Sequence, residues 1–428
     1  MSSIEILITN ASLYTLTLLT YLYIVRRFNL GVMLLSIYAF GAWSSVFFYK
    51  HELFELSIHD SVMTWEPFIY LFIVLIIFFF PVLNFRSEKI TEIEMPDLKK
   101  INAVAYFVIF TSIICIISYF PHMLNGMQGD ISENRDTVMT EGLKVDFNPI
   151  ISVLVRVGIS LRDIVILLFF YVLAYMKERK ILLVILGVCA FVTPMVCSLA
   201  WSARTIIIFL LFSVLTCYLL FYNILSNRIK ITINCIFATI FGFLFFIFFI
   251  ISISRFGEDD MFGIDFFMLK YMGENFVNFN GILYDQTIDI LYGGNSFPLF
   301  RRFLGLDYWT TISEFRSFAG DVVGVPVYIF YLFVGSFYLD FGPQVTVMIA
   351  VLMCFIGYKV FKSNSTVSFH QLILFILFYN IFTEGFFYFS LYDEPGNLKI
   401  LMHIFLFFYF KLNIKNIDTK TGLKCNQN

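Results

Sequence analysis

The sequence predicts an all-α, polytopic membrane protein, and three observations carry that prediction. The 428 residues are 59% hydrophobic and 20% aromatic with only 14% charged, at a mean hydropathy of +0.83, whereas soluble domains carry about 25% charged residues. The apolar residues fall in unbroken runs of the length a helix needs to cross a bilayer, roughly 20 residues. Lysine and arginine concentrate in alternate connections between those runs, as orientation in a membrane requires. With 29 Lys+Arg against 31 Asp+Glu, the formal charge of -2 gives no reason to expect a nucleic-acid partner.

About eleven spans are read, at approximately 4–25, 30–49, 67–84, 101–120, 150–176, 181–197, 205–222, 231–253, 326–358, 367–389 and 398–414, so that 1–428 forms one integral membrane domain. The first run lacks a basic start and a small-residue cleavage site, which predicts a retained span and no cleaved signal peptide. The ninth is too long for one crossing and contains SFYLDFGPQ (336–344), where Asp340, Gly342 and Pro343 oppose a continuous helix. A partly re-entrant or half-unwound segment followed by a span is expected there, which requires protein or water to satisfy the freed backbone. The eleventh carries Lys399 and His403 near its start. Six of the seven cysteines (Cys115, Cys189, Cys197, Cys217, Cys235, Cys354) lie in apolar runs and Cys425 lies in the tail, so they read as packing residues without a disulfide framework.

One set of alternate connections holds Arg26, Arg27, Arg86, Lys89, Lys99, Lys100, Lys177, Arg179, Lys180, Arg228, Lys230, Lys359, Lys362, Lys411, Lys415, Lys420 and Lys424, 17 in all. The other set holds ten, five of them in a single long loop that the rule does not cover. The N-terminus is therefore expected outside, the C-terminus inside, and the polar segments 121–149 and 254–325 outside. The 72 residues from Ser254 to Val325 far exceed what joins two neighbouring helices, and loops of that size bind or do chemistry. DDMFGIDFFMLKYM and NSFPLFRRFLGLDYW keep this loop aromatic, so it is expected to fold back on the membrane surface.

Several charged residues stand where charge is costly. Arg156, Arg162 and Asp163 interrupt the fifth span, and an ionisable group at membrane depth costs at least about 2.5–3.5 kcal/mol on insertion scales. Asp163 shares a helix face with Arg156, but two turns, about 10 Å, separate them, so they are not expected to pair. Arg162 and Asp163 read either as an ion pair with another helix or as part of a site, and Arg156, nearer the outer surface, as a partner for a substrate anion or for another helix. Arg204, in SLAWSAR, stands at a helix N-terminus, where the macrodipole disfavours a cation. With Ser202 as N-cap it would form an anion site; the alternative is an arginine snorkelling to headgroups.

Arg255, in SISRFGEDD, stands at the opposite end of a helix, with Glu258, Asp259 and Asp260 beside it. These carboxylates could supply a general base, hold a divalent ion or form a solvated acidic loop. Arg301, Arg302 and Arg316 add three arginines to the same loop against one lysine, Lys270. Arginine suits bidentate phosphate recognition, and a basic rim facing lipid headgroups would share the pattern. The five histidines have no ligand spacing, so no zinc site is expected, and no Walker A, GxGxxG or GxSxG motif occurs. The substrate is expected to carry its own leaving group.

In the order of these features the chain resembles the Wzy-type oligosaccharide repeat-unit polymerases. The resemblance rests on WSARTIIIF (201–209), SISRFGEDD opening the long outside loop, SFPLFRRFLG late in it and VPVYIFYLFVGSFYLDFGPQ (325–344) closing it, and spans roughly the C-terminal half. Pro343 departs from the aromatic or aliphatic residue expected after the DFG-like turn. The resemblance implies a GT-C-like glycosyltransferase of the bacterial inner membrane, active at its periplasmic face without metal, nucleotide or other cofactor. It would transfer a growing glycan from undecaprenyl pyrophosphate onto an incoming lipid-linked repeat unit, with a chain-length regulator protein as a partner. Arg204 and Arg255 match the family's pyrophosphate-holding arginines, with Arg316 a third; Arg156, Arg301 and Arg302 join the candidate pyrophosphate-binding set, and Glu258 is the candidate base. An O-antigen ligase of the same plan and a lipid-linked oligosaccharide flippase are the competing readings.

A reporter that is active only in the periplasm should be active when fused after Asn280 and silent after Ser226. The reverse pattern would invert the expected orientation.

Overall fold

A computed structural model describes residues 2–51, 62–128, 148–203, 205–236, 239, 242, 264–306, 309, 312–362 and 364–412. The elements are α1 (Ser3–Val25), α2 (Leu30–Lys50), α3 (Trp65–Asn84), β1 (Glu92–Glu94), α4 (Leu98–Gln128), α5 (Pro149–Ser160), α6 (Arg162–Tyr175), α7 (Lys180–Ala200), α8 (Thr205–Phe221), α9 (Ile264–Asn278), α10 (Pro298–Phe303), α11 (Ile312–Val323), α12 (Leu332–Val360), β2 (Thr366–Ser368), α13 (Phe369–Glu384) and α14 (Glu394–Lys411). Local chemistry sets several of their starts. Ser2 and Glu5 form a capping box on α1, Asn29 caps α2, and Asp393 caps α14, each satisfying N–H groups that a helix start leaves orphaned.

Six described helices are long and apolar enough to cross a membrane, or seven if α5 and α6, which meet at a 55° bend, make one span. The shorter apolar helices α8 and α13 have 17 and 16 residues. A multi-pass helical membrane protein follows; the expected count of eleven goes beyond what helix length and apolarity establish. The described cysteines are free, with Cys115 and Cys197 in Sγ contact at 3.6 Å between α4 and α7.

The connections sort into two ends. At one, β1 pairs in parallel with β2, Ile93 opposite Val367. There the Ile93 N–H donates to Tyr175 Oη at 2.8 Å, and Asn223 Nδ2 donates to the Glu88 carbonyl at 2.8 Å. These four connections all belong to the lysine- and arginine-rich set, so this is the basic end. At the other, Thr64 and Asn280 exchange hydrogen bonds of 3.1 and 2.8 Å, and the Met63 N–H donates to Ser3 Oγ at 3.2 Å. This is the loop end.

The break expected between Asp340 and Pro343 falls at Gly342, with φ 74° and ψ 177°, a backbone region essentially restricted to glycine. Contacts along α3 show what it does. Phe333 meets Phe78 and Tyr338 meets Tyr70, nearer the loop end; Tyr70 Oη then donates to the Pro343 carbonyl at 2.8 Å, after which Gly357 lies against Pro81 and Phe361 against Phe85. Residues 332–341 thus run toward the loop end as a buried half-helix, and 343–360 return along α3 to the basic end. The half-helix starts inside the bundle, where the Leu332 and Phe333 N–H groups donate to the carbonyls of Phe387 and Gly385 at 3.1 and 2.8 Å. Irregular backbone at this depth is sustained because each segment satisfies the other.

Part of the long segment expected on the membrane surface sits inside the bundle. Phe276 packs edge-on against the buried rings of Tyr14 and, at a wider tilt, Phe386, and a Cβ on Gly273 would fall 2.4 Å from the Ser44 carbonyl oxygen. The helix therefore closes on α2 around Gly273, at a separation that only glycine permits.

Replacing Gly342 with alanine should cost about 1–3 kcal/mol, the strain of a side chain in that region. A lower melting temperature in detergent at unchanged membrane insertion is the expected reading; an unchanged one would mean the turn tolerates a Cβ.

Candidate functional site

Two groups of charged side chains lie at different depths along α5, α6 and α14. The outer group is at the loop end. Glu394, in the first turn of α14, pairs through Oε2 with Arg156 Nη1 of α5 and through Oε1 with Arg302 Nη1 of α10 at 3.0 Å. The three side chains are 24%, 44% and 48% exposed. One carboxylate is shared between two guanidinium groups, and pairs this exposed are worth about 1 kcal/mol or less. A better anion could therefore displace the carboxylate at small cost.

Asn397 holds this group in register. Its Nδ2 donates to the Ser296 and Leu391 carbonyls at 2.9 and 2.6 Å, and its Oδ1 accepts from the Leu299 N–H at 3.1 Å. The first turn of α14 is thereby tied to the start of α10, which carries Arg302. Asp340, at the top of the half-helix, accepts from the Asn295 N–H at 2.8 Å and fixes the preceding turn.

The deeper group is buried where α6, α8, α13 and α14 meet. Asp163 Oδ1 accepts from Arg162 Nε at 2.9 Å and from Ser213 Oγ at 3.0 Å; its Oδ2 accepts from Asn380 Nδ2 at 2.7 Å and pairs with Lys399. Arg162 Nη2 reaches Glu384 Oε1, whose other oxygen is 4.0 Å from Lys399 Nζ. Below it, His403 Nδ1 bonds the Lys399 carbonyl at 2.8 Å. Two cations and two anions balance in this group, and the Ser213 hydroxyl and Asn380 amide add hydrogen bonds to Asp163.

The candidate residues divide accordingly. Arg156 and Arg302 come together on Glu394, and Arg156 does not pair with Asp163, as their spacing predicted. Arg162 and Asp163 form an interhelical ion network. Arg301 donates to the Leu291 and Tyr292 carbonyls at 3.3 and 3.1 Å and lies over the Trp309 ring, so it supports the loop backbone. Arg316 is exposed on α11, with nothing to join it to the Arg156 group. Arg204, Arg255, Glu258, Asp259 and Asp260 lie outside the described residues. Among the described residues no three His, Cys, Asp or Glu side chains are placed as a metal site.

Sequence reasoning missed Glu384, Glu394 and Asn397. Glu384 sits in an apolar run just as Arg162 does, and the cost of an ionisable group at that depth would have flagged it; Asn397 carries no such signal. No family model, curated protein or solved structure matches the chain.

Removing one partner from a buried ion network costs about 3–5 kcal/mol, because the other is left uncompensated. Asp163→Ala should therefore lower the detergent melting temperature sharply, and Asp163→Asn with Lys399→Met should lower it less than either change alone. Additive losses would show that the two groups are not coupled.

Proposed function

We propose that the chain is an oligosaccharide repeat-unit polymerase of the bacterial inner membrane, acting on undecaprenyl-pyrophosphate-linked glycans at the periplasmic face. The observation that carries this reading is the convergence of Arg156, from within a span, and Arg302, from the long loop, on one weakly held carboxylate at the loop end. Two guanidinium forks from separate elements match a ligand with two linked phosphoryl groups.

In this reading the acceptor sugar hydroxyl attacks the anomeric carbon of the donor glycan, the bond from that carbon to the pyrophosphate oxygen breaks, and the arginines neutralise the charge that develops on the departing pyrophosphate. A carboxylate takes the hydroxyl proton, with Glu258 the candidate from sequence. Arg204, Arg255 and Arg316 remain proposed pyrophosphate ligands on the family resemblance. A chain-length regulator is the proposed protein partner.

A lipid-linked oligosaccharide transporter is the second reading, favoured by one observation: four buried charges lie where α6, which follows the break at Leu161, meets α13 and α14, and transporters use broken helices around a central site. A ligase would share the outer site and differ in its acceptor.

Deletion of the gene separates these. A polymerase leaves single repeat units on the lipid core, a ligase leaves polymer on the polyprenyl carrier, and a transporter leaves no repeat unit outside; normal ladders would reject all three. Restoring the gene with Arg302→Lys should return the protein at normal abundance with at least about thirty-fold less polymer, the effect of losing roughly 2 kcal/mol of a charge contact. Full polymer from Arg302→Lys would reject the guanidinium clamp.

A further inference from the structure

An apolar groove of about 270 Å³ lies between α4 and α14, lined by Ala103, Phe107, Leu161, Met402, Phe405 and Tyr409 among others. Its origin is the 55° bend at Leu161. Helix α5 packs against both α4 and α14, but beyond Leu161 the chain turns away as α6, and among the described residues no side chain fills the space between them. Toward the basic end the gap is closed by Lys100, whose Nζ donates to the Tyr409 carbonyl and lies over its ring. Phe107 and Phe405 are 45% and 62% exposed, so the groove opens sideways, where the surrounding lipid would be.

Helix α14, one wall of the groove, and α5, which ends beside it at Leu161, carry Glu394 and Arg156 of the outer charged group. Arg156 precedes Leu161 by five residues and Glu394 precedes Met402 by eight, about 7.5 and 12 Å at 1.5 Å per residue. An apolar channel entered from lipid thus leads to two arginines that share one carboxylate.

We propose that this groove holds the polyprenyl chain of the lipid-linked substrate, with its diphosphate on Arg156 and Arg302 in place of Glu394; this rests on the polymerase reading. A phospholipid would offer a similar tail but a single phosphodiester, which leaves one of the two converging guanidinium forks without a phosphoryl group. The groove also explains why the two arginines stand beside α14: the headgroup is delivered there by a chain sliding in between α4 and α14.

The test uses full-length protein in nanodiscs of phosphatidylethanolamine and phosphatidylglycerol, with a photoreactive phenylalanine analogue at position Phe405 or, on the facing wall, Phe107. A control carries it at Phe355, 55% exposed on α12 and away from the groove. Radiolabelled undecaprenyl diphosphate should attach at 405 and 107 at least about tenfold more than at 355, and excess unlabelled undecaprenyl diphosphate should suppress it. Arg156→Gln should reduce it several-fold. Equal labelling at all three positions, or attachment of phospholipid alone, would overturn the proposal. No glycan and no turnover is involved: groove labelling in a protein whose deletion leaves ladders intact would sink the polymerase reading and keep the groove, and ladder loss with phospholipid-only labelling would do the opposite.

Discussion

Charge buried at membrane depth has to be neutralised locally, and much of this protein is arranged around one such neutralisation. Arg162 and Asp163, adjacent in sequence, pair with each other at 2.9 Å, and each also takes an opposite charge from another helix. Arg162 finds Glu384 at the end of α13 and Asp163 finds Lys399 in α14, while Ser213 and Asn380 supply the remaining hydrogen bonds from α8 and α13. An unpaired member would cost several kcal/mol, so four helices are held at one crossing with little freedom to slide. That crossing also fixes the end of α13 at Glu384, after which the chain runs irregularly through 385–391 and can satisfy the buried start of the half-helix.

The bend at Leu161 follows from the same constraint. A straight helix from Pro149 to Tyr175 could not both lie between α4 and α14 at the loop end and place Arg162 and Asp163 among α8 and α13; a 55° change of direction does both. Its two consequences lie on opposite sides of the bend. Toward the loop end, α5 presents Arg156 to Glu394; past it, the departure of α6 leaves the groove between α4 and α14. The proposed ligand site and the proposed lipid site are thus by-products of how one ion network is assembled.

The sequence made the bundle legible because apolar length, basic asymmetry and helix breakers each act locally. The alternation of lysine and arginine anticipated which connections meet at one end, and SFYLDFGPQ announced its break because Asp, Gly and Pro act on their own backbone. The location of 264–283 was misjudged because loop composition says how much apolar surface must be covered and not what covers it; Gly273 gained its meaning only against Ser44. Among the charges, Arg162 and Asp163 were visible as anomalies in a span, but their partners are more than 200 residues away. Glu394 read as an ordinary residue after Asp393, and Asn397 as an ordinary polar one; only tertiary convergence gives either a role. Arg204, the arginine that the sequence singled out most sharply, lies outside the described residues, so its role remains a proposal from sequence.

The two charged groups differ in the property that separates support from binding. The inner one balances two cations against two anions and is almost fully buried, so an added anion would face two carboxylates. The outer one is partly exposed, sets two guanidinium groups against one shared carboxylate and holds that carboxylate by contacts worth about 1 kcal/mol or less. Under the proposed function a pyrophosphate would bring more negative charge than Glu394 and acceptor oxygens for both guanidinium forks, so exchange would be favoured in the outer group and opposed in the inner. The inner network earns its place by holding α14 rigid, because the orientation of α14 sets the distance between Arg156 and Arg302 across Glu394. Preorganised cations of this kind stabilise developing charge without reorganising as the bond breaks, which is how a neutral cluster deep in the bundle would serve chemistry at its rim.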